Sequence, residues 1–331
     1  MKSILGIGNA LTDIIVRLPN DSLLQKFHLP LGSMQHVDEE TGDKIWKLIK
    51  PMGAQYVAGG SAANTICDAS IFGMPAGFIG KVGDDELGSL FKSDMERNGV
   101  KPILLLGKES SGRCIDFITG TNAERTFATY LGAALELEPK DLRPECFEGY
   151  DYFHIEGYLV QNQPLLRRAV EMAKDHKMII SIDMASYNVV DSNNMFLHDI
   201  VQNYVDIVFA NELEAEAFTR LKPREAVNAI AKMCKIAVVK IGKEGSLIKC
   251  GEDFYPIKAV PAKTIDATGA GDTYAAGFLY AHSLGASIRQ CGEVGSIIAA
   301  KAVEVTGAKI DVPRWKQAKM DIRALLGMHN N

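Results

Sequence analysis

From Tyr150 onward the chain alternates short apolar runs with longer stretches of helical composition: Tyr152 to Ile155, Pro164 to His176, Met178 to Asp183, Met195 to Tyr204, Ile207 to Ala210. Regular alternation of this kind predicts an α/β fold, with a mainly parallel sheet covered by helices. Ligands of such sheets gather outside the carboxyl ends of the strands. Asp183 and Asn211 each stand at such an end.

A second stretch places the chemistry. Asp266-Ala267-Thr268-Gly269-Ala270-Gly271-Asp272 runs directly into the small-residue, apolar segment Thr273 to Tyr280. Two glycines flanking an alanine allow a tight backbone path, and the Ala-rich segment after them favours helix, so Gly269, Ala270 and Gly271 read as a helix N-terminus. Free N–H groups there, with the positive end of the macrodipole behind them, suit an anion such as a phosphoryl group in transfer. A carboxylate beside that anion is a poor ligand for it, because like charges repel. Asp272 is therefore either a helix cap or a base for a hydroxyl that attacks phosphorus.

The N-terminal half supplies a second glycine-led helix. Ile4 to Ile7 reads as a buried strand ended by Gly8-Asn9, with Asp13 four residues after Asn9. Ile14 to Val16 and Met34 to Val37 read as further short strands. Val57-Ala58-Gly59-Gly60-Ser61-Ala62-Ala63-Asn64 then leads into Thr65 to Phe72. Paired glycines before an Ala-rich run signal a close backbone approach and a helix whose N-terminus is open to a ligand, with Asn64 one turn in. Gly77 to Asp85 reads as a strand and an acidic turn, with Asp84 and Asp85 capping a helix from about Glu86 to Asn98. Ile103 to Leu106, Cys114 to Thr119 and Arg125 to Tyr130 read as strands, the last two a hairpin about Gly120-Thr121-Asn122-Ala123. With the early strands these segments predict a small sheet covering the site as a lid, formed by insertions at about 13–38 and 112–130. Such a cover excludes water from an activated phosphoryl group.

Composition sets the outer bounds. A chain of 331 residues, 47% hydrophobic and 23% charged, can bury a large core. The net charge of −5 carries no basic concentration of the kind that nucleic acid or an anionic membrane requires. The six cysteines form no Cys-x-x-Cys pair, so neither a disulfide framework nor a zinc site is suggested. The apolar start is too short for a signal segment, and no run approaches a transmembrane length, so a cytoplasmic protein is expected.

Taken together, the Asp266 to Asp272 string, Asp13, the Gly59-Gly60-x-x-x-Asn64 segment and the Gly77 to Asp85 strand and turn resemble the signatures of the ribokinase-like, or PfkB, family of carbohydrate and nucleoside kinases. The resemblance spans nearly the whole chain, 1–331 as one kinase domain with its lid. It implies that Asp272 is the catalytic base, with Gly269, Ala270 and Gly271 forming the anion hole. It also implies that Asn9, Asp13, Gly59, Gly60 and Asn64 bind the hydroxyls of a sugar or nucleoside, and that ATP and Mg²⁺ are required. Asn211-Glu212-Leu213-Glu214 resembles the family's Asn-x-x-Glu element, so Asn211 and Glu214 are expected at the nucleotide phosphates, with Glu214 reaching Mg²⁺ through water. The same residues satisfy a plain helix N-terminus. Gly242, after the strand Ile236 to Ile241, is a candidate phosphate contact together with Gly269 and Gly271. Lys240 stands where a threonine is common, which leaves its role open. Asp266 either shapes its loop or helps a monovalent cation (K⁺) site.

Arg125-Thr126-Phe127-Ala128-Thr129-Tyr130-Leu131-Gly132-Ala133-Ala134 resembles the corresponding segment of adenosine kinases. Arg125 is thus a candidate substrate clamp for phosphate charge, or alternatively an exposed hairpin arginine. Rival nucleotide folds fail: no Gly-Lys pair is followed by Ser or Thr as a Walker A loop demands, Leu11 occupies the third glycine position of a Rossmann fingerprint, and no His-Arg-Asp loop is present. The expectation is an ATP-dependent kinase of a ribonucleoside, adenosine first. A kinase of a free sugar such as ribose or fructose, and a catalytically silent sugar- and nucleotide-binding protein, are the alternatives. Its partner is a small molecule, and the chain is expected as a monomer or as a homodimer paired through the lid edge.

Overall fold

The computed structural model describes residues 1–119 and 124–328. The turn expected at Gly120-Thr121-Asn122-Ala123 lies outside the described residues. The strands in chain order are β1 Ile4–Ile7, β2 Leu11–Arg17, β3 Met34–His36, β4 Gln55–Gly59, β5 Ala76–Val82, β6 Val100–Leu106 and β7 Gly112–Thr119. They continue with β8 Glu124–Tyr130, β9 Tyr152–Glu156, β10 Ile179–Asp183, β11 Ile207–Asn211, β12 Ile236–Lys240, β13 Ser246–Cys250 and β14 Asp253–Ile257.

A nine-stranded sheet runs in the order β14-β13-β12-β11-β10-β9-β1-β5-β6. From β12 to β6 every pairing is parallel, and β13 and β14 append an antiparallel hairpin at one edge. The parallel strands are apolar on both faces because helices cover both. Phe209 of β11 faces a core built with helices Ser61–Ile71, Ala270–Ser283 and Ile288–Ala302, while its neighbours Val208 and Ala210 face a second core built with Gln163–Asp175, Asn194–Tyr204 and Pro223–Ile230. No helix among the described residues is long and apolar enough to cross a membrane.

The second sheet, in the order β3-β8-β7-β2-β4, is the small cover expected from the sequence, with two differences. Residues 100–106 join the large sheet beside β5 instead of the cover, because their register with β5 continues the parallel set from Ala76↔Val100 to Val82↔Leu106. The cover also takes in β4, antiparallel to β2, which places Gly59 opposite Leu11 and Val57 opposite Asp13. One face of this sheet buries Ile14, Val16, Ile115, Phe117 and Ala128 against the helix Glu39–Ile49. That helix starts at Asp38, whose carboxylate accepts from Thr41 N at 2.8 Å. By strand alternation the opposite face carries Asp13, Ile15, Val57, Cys114, Asp116, Arg125 and Phe127.

The Ala-rich helix Ala270–Ser283 and its neighbour Ile288–Ala302 pack closely because Gly277 faces Gly295. A methyl group on Gly277 would lie 2.5 Å from Ile298 Cδ1 and 3.2 Å from the Gly295 Cα. Gly277→Val is expected to destabilise the fold by roughly 1–3 kcal/mol through overpacking. Urea unfolding checks this: the midpoint should fall with its slope unchanged, and an unchanged or raised midpoint contradicts the packing described.

Candidate active site

Parallel strands bring their carboxyl ends to one edge, and this is where the polar side chains collect. Ile7 of β1 lies beside Ile155 of β9, Glu156 beside Asp183 of β10, and Asn211 of β11 beside Lys240 of β12. Asn9, Glu156, Asp183, Asn211 and Lys240 therefore rim one cleft, beneath the cover sheet.

The glycine-led helices meet across this cleft. Gly269 caps the Ala270–Ser283 helix with φ 74°, a left-handed conformation that glycine adopts without strain. The Ala270 N–H turns back to the Ala267 carbonyl at 3.2 Å. Of the expected anion hole at Gly269, Ala270 and Gly271, the Ala270 N–H is thus engaged, while the N–H groups of Gly271 and Asp272, in the first turn, have no intrahelical acceptor and suit an anion.

Asp272 is half-buried and held by the other helix. Ser61 Oγ donates to Oδ1 at 2.8 Å and Asn64 Nδ2 donates to Oδ2 at 3.0 Å. Thr65 Oγ1 donates to the Asp272 carbonyl at 3.2 Å, and Thr273 Oγ1 donates to the buried Asp68 at 2.8 Å. Burial, then the neighbouring Asp183 carboxylate, raises the Asp272 pKa to about 6, against the pull of Asn64, Ser61 and Lys240. The Asn64 carbonyl oxygen Oδ1 is buried without a hydrogen-bond partner among the described residues. It is an acceptor directly beside Asp272 that a hydroxyl donor would satisfy.

On the lid side, the Asp13 carboxylate lies against the Gly59 Cα so closely that any side chain at 59 would collide with it. Gly60, at φ +95°, sits against the Asn9 carbonyl. Asp13 is raised to about 6 by burial, with Lys309 and Arg125 opposing. Asn9 is buried, and its Nδ2 donates to Glu156 Oε1 at 2.6 Å. Glu156 also accepts from Ala62 N at 3.2 Å, and burial pushes its pKa up to about 7. The Asn9 amide nitrogen thus orients Glu156 in this structure.

Arg125 does not stand exposed on its hairpin. Its guanidinium is ion-paired with Asp116 on the lid and with Asp266 on the loop before the anion hole. Asp266 also accepts from Thr268 N at 2.9 Å, Thr268 Oγ1 at 2.7 Å and Gly307 N at 2.7 Å. Its contacts shape the loop, and the cation they include is the chain's own arginine. Asn211 and Glu214 form a reciprocal helix cap: Asn211 N donates to Glu214 Oε2 at 2.7 Å, and Glu214 N donates to Asn211 Oδ1 at 2.9 Å. Burial and then Asp183 raise Glu214 to about 7, while Lys240 lowers it. Gly242 is exposed in the turn after Ile241, with open space around its Cα.

Several participants escaped sequence reasoning. Glu156 is one residue beyond the apolar run of β9, the position that a strand-end rule singles out. Ser61 lies inside the Gly59 to Asn64 segment, where the sequence alone gives it no role of its own. Lys309, on the loop after Gly307, puts a buried ammonium with no hydrogen-bond partner among the described residues near Asp13 and Asp68, and nothing in its sequence neighbourhood signals this. No three acidic, histidine or cysteine side chains among the described residues converge as a metal cage. Glu214, in the first turn of the helix after β11, and Asp183, at the end of β10, are near one another, and such a sparse pair fits Mg²⁺, which keeps most of its waters and takes few protein carboxylates.

A family model described as pfkB family carbohydrate kinase matches residues 36–315. A probable sugar kinase from Rhizobium etli superposes with a TM-score of 0.85 at 32% identity, covering 98% of this chain and 99% of that one. The adenosine kinase of Sinorhizobium meliloti superposes with a TM-score of 0.84, also at 32% identity, covering 97% and 99%. An adenosine kinase from Schizophyllum commune is 28% identical over 345 residues, 96% of this chain and 97% of that protein. With the glycine-led helix terminus, the carboxylate beside it and the strand-end cleft in place, the chain belongs to the pfkB family of carbohydrate kinases, ATP-dependent phosphotransferases that act on sugars or nucleosides.

Proposed function

We propose that this kinase transfers the γ-phosphoryl group of ATP to the primary hydroxyl of a ribonucleoside, adenosine first. The observation that carries this reading is the cleft-facing side of the lid. Ile15, Val57, Cys114 and Phe127 share that face with Asp13, and each is only partly buried. Apolar groups left half-covered beside a sugar-binding carboxylate suit the flat, apolar face of a base, whereas a free sugar would leave them without a partner.

In this reading Asp13 and the unpartnered Asn64 Oδ1 accept hydrogen bonds from ribose hydroxyls and hold one oxygen in line with phosphorus. Asp272 takes the proton of that hydroxyl as the oxygen–phosphorus bond forms and the bond to the ADP leaving group breaks. First-turn N–H groups of Gly271 and Asp272 receive the transferred charge. Mg²⁺, when bound near Glu214 and Asp183, supplies positive charge for the nucleotide phosphates. The Arg125–Asp266 pair ties the lid to the anion-hole loop, which keeps water from competing with the acceptor.

Asp272→Asn is expected to lower kcat on the order of 10²- to 10⁴-fold while the acceptor still binds, as calorimetry would measure. Retained turnover would remove Asp272 as the base. Because the base must be ionised and its pKa is raised to about 6, kcat should climb as pH rises through about 6 and then level off. ATP consumption against adenosine, other nucleosides, ribose and fructose tests the acceptor. Adenosine is expected to be preferred, and Phe127→Ala should raise its KM about tenfold through lost base contact. Preference for a free sugar, or indifference to Phe127→Ala, would contradict the nucleoside reading and leave the phosphoryl-transfer chemistry standing.

A further inference from the structure

We propose that Lys240 is a phosphoryl-contacting catalytic residue, whose ammonium donates to the transferring phosphoryl group beside the first turn of the Ala270–Ser283 helix. It rests on the family's phosphoryl transfer and not on the choice of a nucleoside acceptor.

The geometry carries the inference. Lys240 is the last residue of β12, and its side chain is 15% exposed at the floor of the cleft. One ammonium proton goes to Asp183 Oδ2 at 2.7 Å, itself at the end of β10. A lysine carries three donors, so two are left without a hydrogen-bond acceptor among the described residues. The ammonium lies against the anion hole: a methyl group on Gly271 would come within 2.9 Å of Lys240 Nζ. The absence of a side chain at 271 therefore does two things, baring an N–H and admitting a cation next to it. An ion pair that served only to neutralise Asp183 would gain nothing from facing that helix terminus. A fixed cation aimed at developing phosphoryl charge gains most there, because a desolvated site strengthens the attraction and needs no reorganisation during the reaction. Asp183 holds the ammonium in place, as a packed supporting residue must.

Lys240 also faces Asp272, whose pKa it lowers, while the carboxylates around Asp272 oppose its ionisation: Asp183 from the end of β10, Glu214 from the helix after β11, Glu156 from β9, Asp68 from the helix Ser61–Ile71 and Asp13 from the lid. Loss of the cation should therefore leave Asp272 harder to ionise, and the acid limb of kcat should move to higher pH.

Lys240→Met and Lys240→Thr separate a phosphoryl contact from a structural ion pair, using MgATP with whichever acceptor turns over. The expected result in Lys240→Met is a kcat about 100-fold lower, the acceptor KM unchanged within about twofold, and the acid limb shifted upward. Affinity for MgADP with aluminium fluoride, a mimic of the transferring group, should fall at least tenfold while affinity for MgADP alone holds. A folded Lys240→Met or Lys240→Thr enzyme with kcat within about threefold of the parent overturns the proposal. Equal losses of MgADP and MgADP–aluminium fluoride affinity overturn it too. Where Lys240→Met does not fold, the aluminium fluoride measurement on Lys240→Thr decides by the same criteria.

Discussion

The junction between two glycine-led helices is the contact on which the rest of this molecule depends. Ser61, Asn64, Thr65 and Asp68, from Ser61–Ile71, bind Asp272 and Thr273, from Ala270–Ser283, across sequence separations of 205 to 211 residues. The first helix begins beside the Gly59-Gly60 approach to Asp13, and the second begins at the anion hole. In the proposed mechanism, locking their N-terminal turns together sets the distance between the hydroxyl that attacks and the phosphoryl group that moves. Proximity of this kind removes a large part of the barrier before any acid–base chemistry is counted.

The electrostatic cost of that junction is visible around it. Parallel strands end in Glu156, Asp183 and Lys240, and the helices and lid add Asp68, Glu214, Asp272 and Asp13 to the same small volume. Burial raises the pKa of Asp13, Asp68, Glu156, Glu214 and Asp272, and the cations Lys240, Lys309 and Arg125 push back alongside hydrogen bonds from groups such as Ser61, Asn64, Asn9 and Thr273. A carboxylate with a raised pKa is a stronger base than one in water, so the crowding that burdens the fold suits Asp272 to the proton abstraction proposed for it. Clusters of perturbed groups in a cleft are the expected mark of a catalytic centre. The three cations come from separate elements, a strand end, a loop and the lid, so the balance holds only when all of them are in position.

Much of this was legible in the sequence because it is written locally. The strand and helix alternation after Tyr150 announces a parallel sheet, and the Asp266 to Asp272 string announces a helix terminus with a carboxylate inside it. What was not legible depends on long-range pairing. Val100 to Leu106 carries the same apolar pattern whether it edges the large sheet or the lid, and only its register with β5 decides. β4 is five residues long and ends at Gly59, where the sequence signals a close backbone approach before a helix and not a strand. Arg125 looks like a hairpin surface residue until Asp266, 141 positions away, is folded against it. Lys240 departs from a common threonine in the sequence, and only the fold puts Gly271 beside its ammonium. Asn211 and Glu214 cap each other, so the two residues expected at the nucleotide phosphates also satisfy a plain helix-start rule.

The most direct test of the account is the ionisation of Asp272 itself. Carbon-13 NMR of protein carrying carboxyl-labelled aspartate, with the Asp272 signal assigned by its loss in Asp272→Asn, follows this one group through a pH titration. The account predicts a midpoint near 6, set by burial and by Asp183. A midpoint at or below the ordinary aspartate value of about 3.9 would contradict it, because Asp272 would then be a solvated helix cap and not the buried base at the meeting of the two helices.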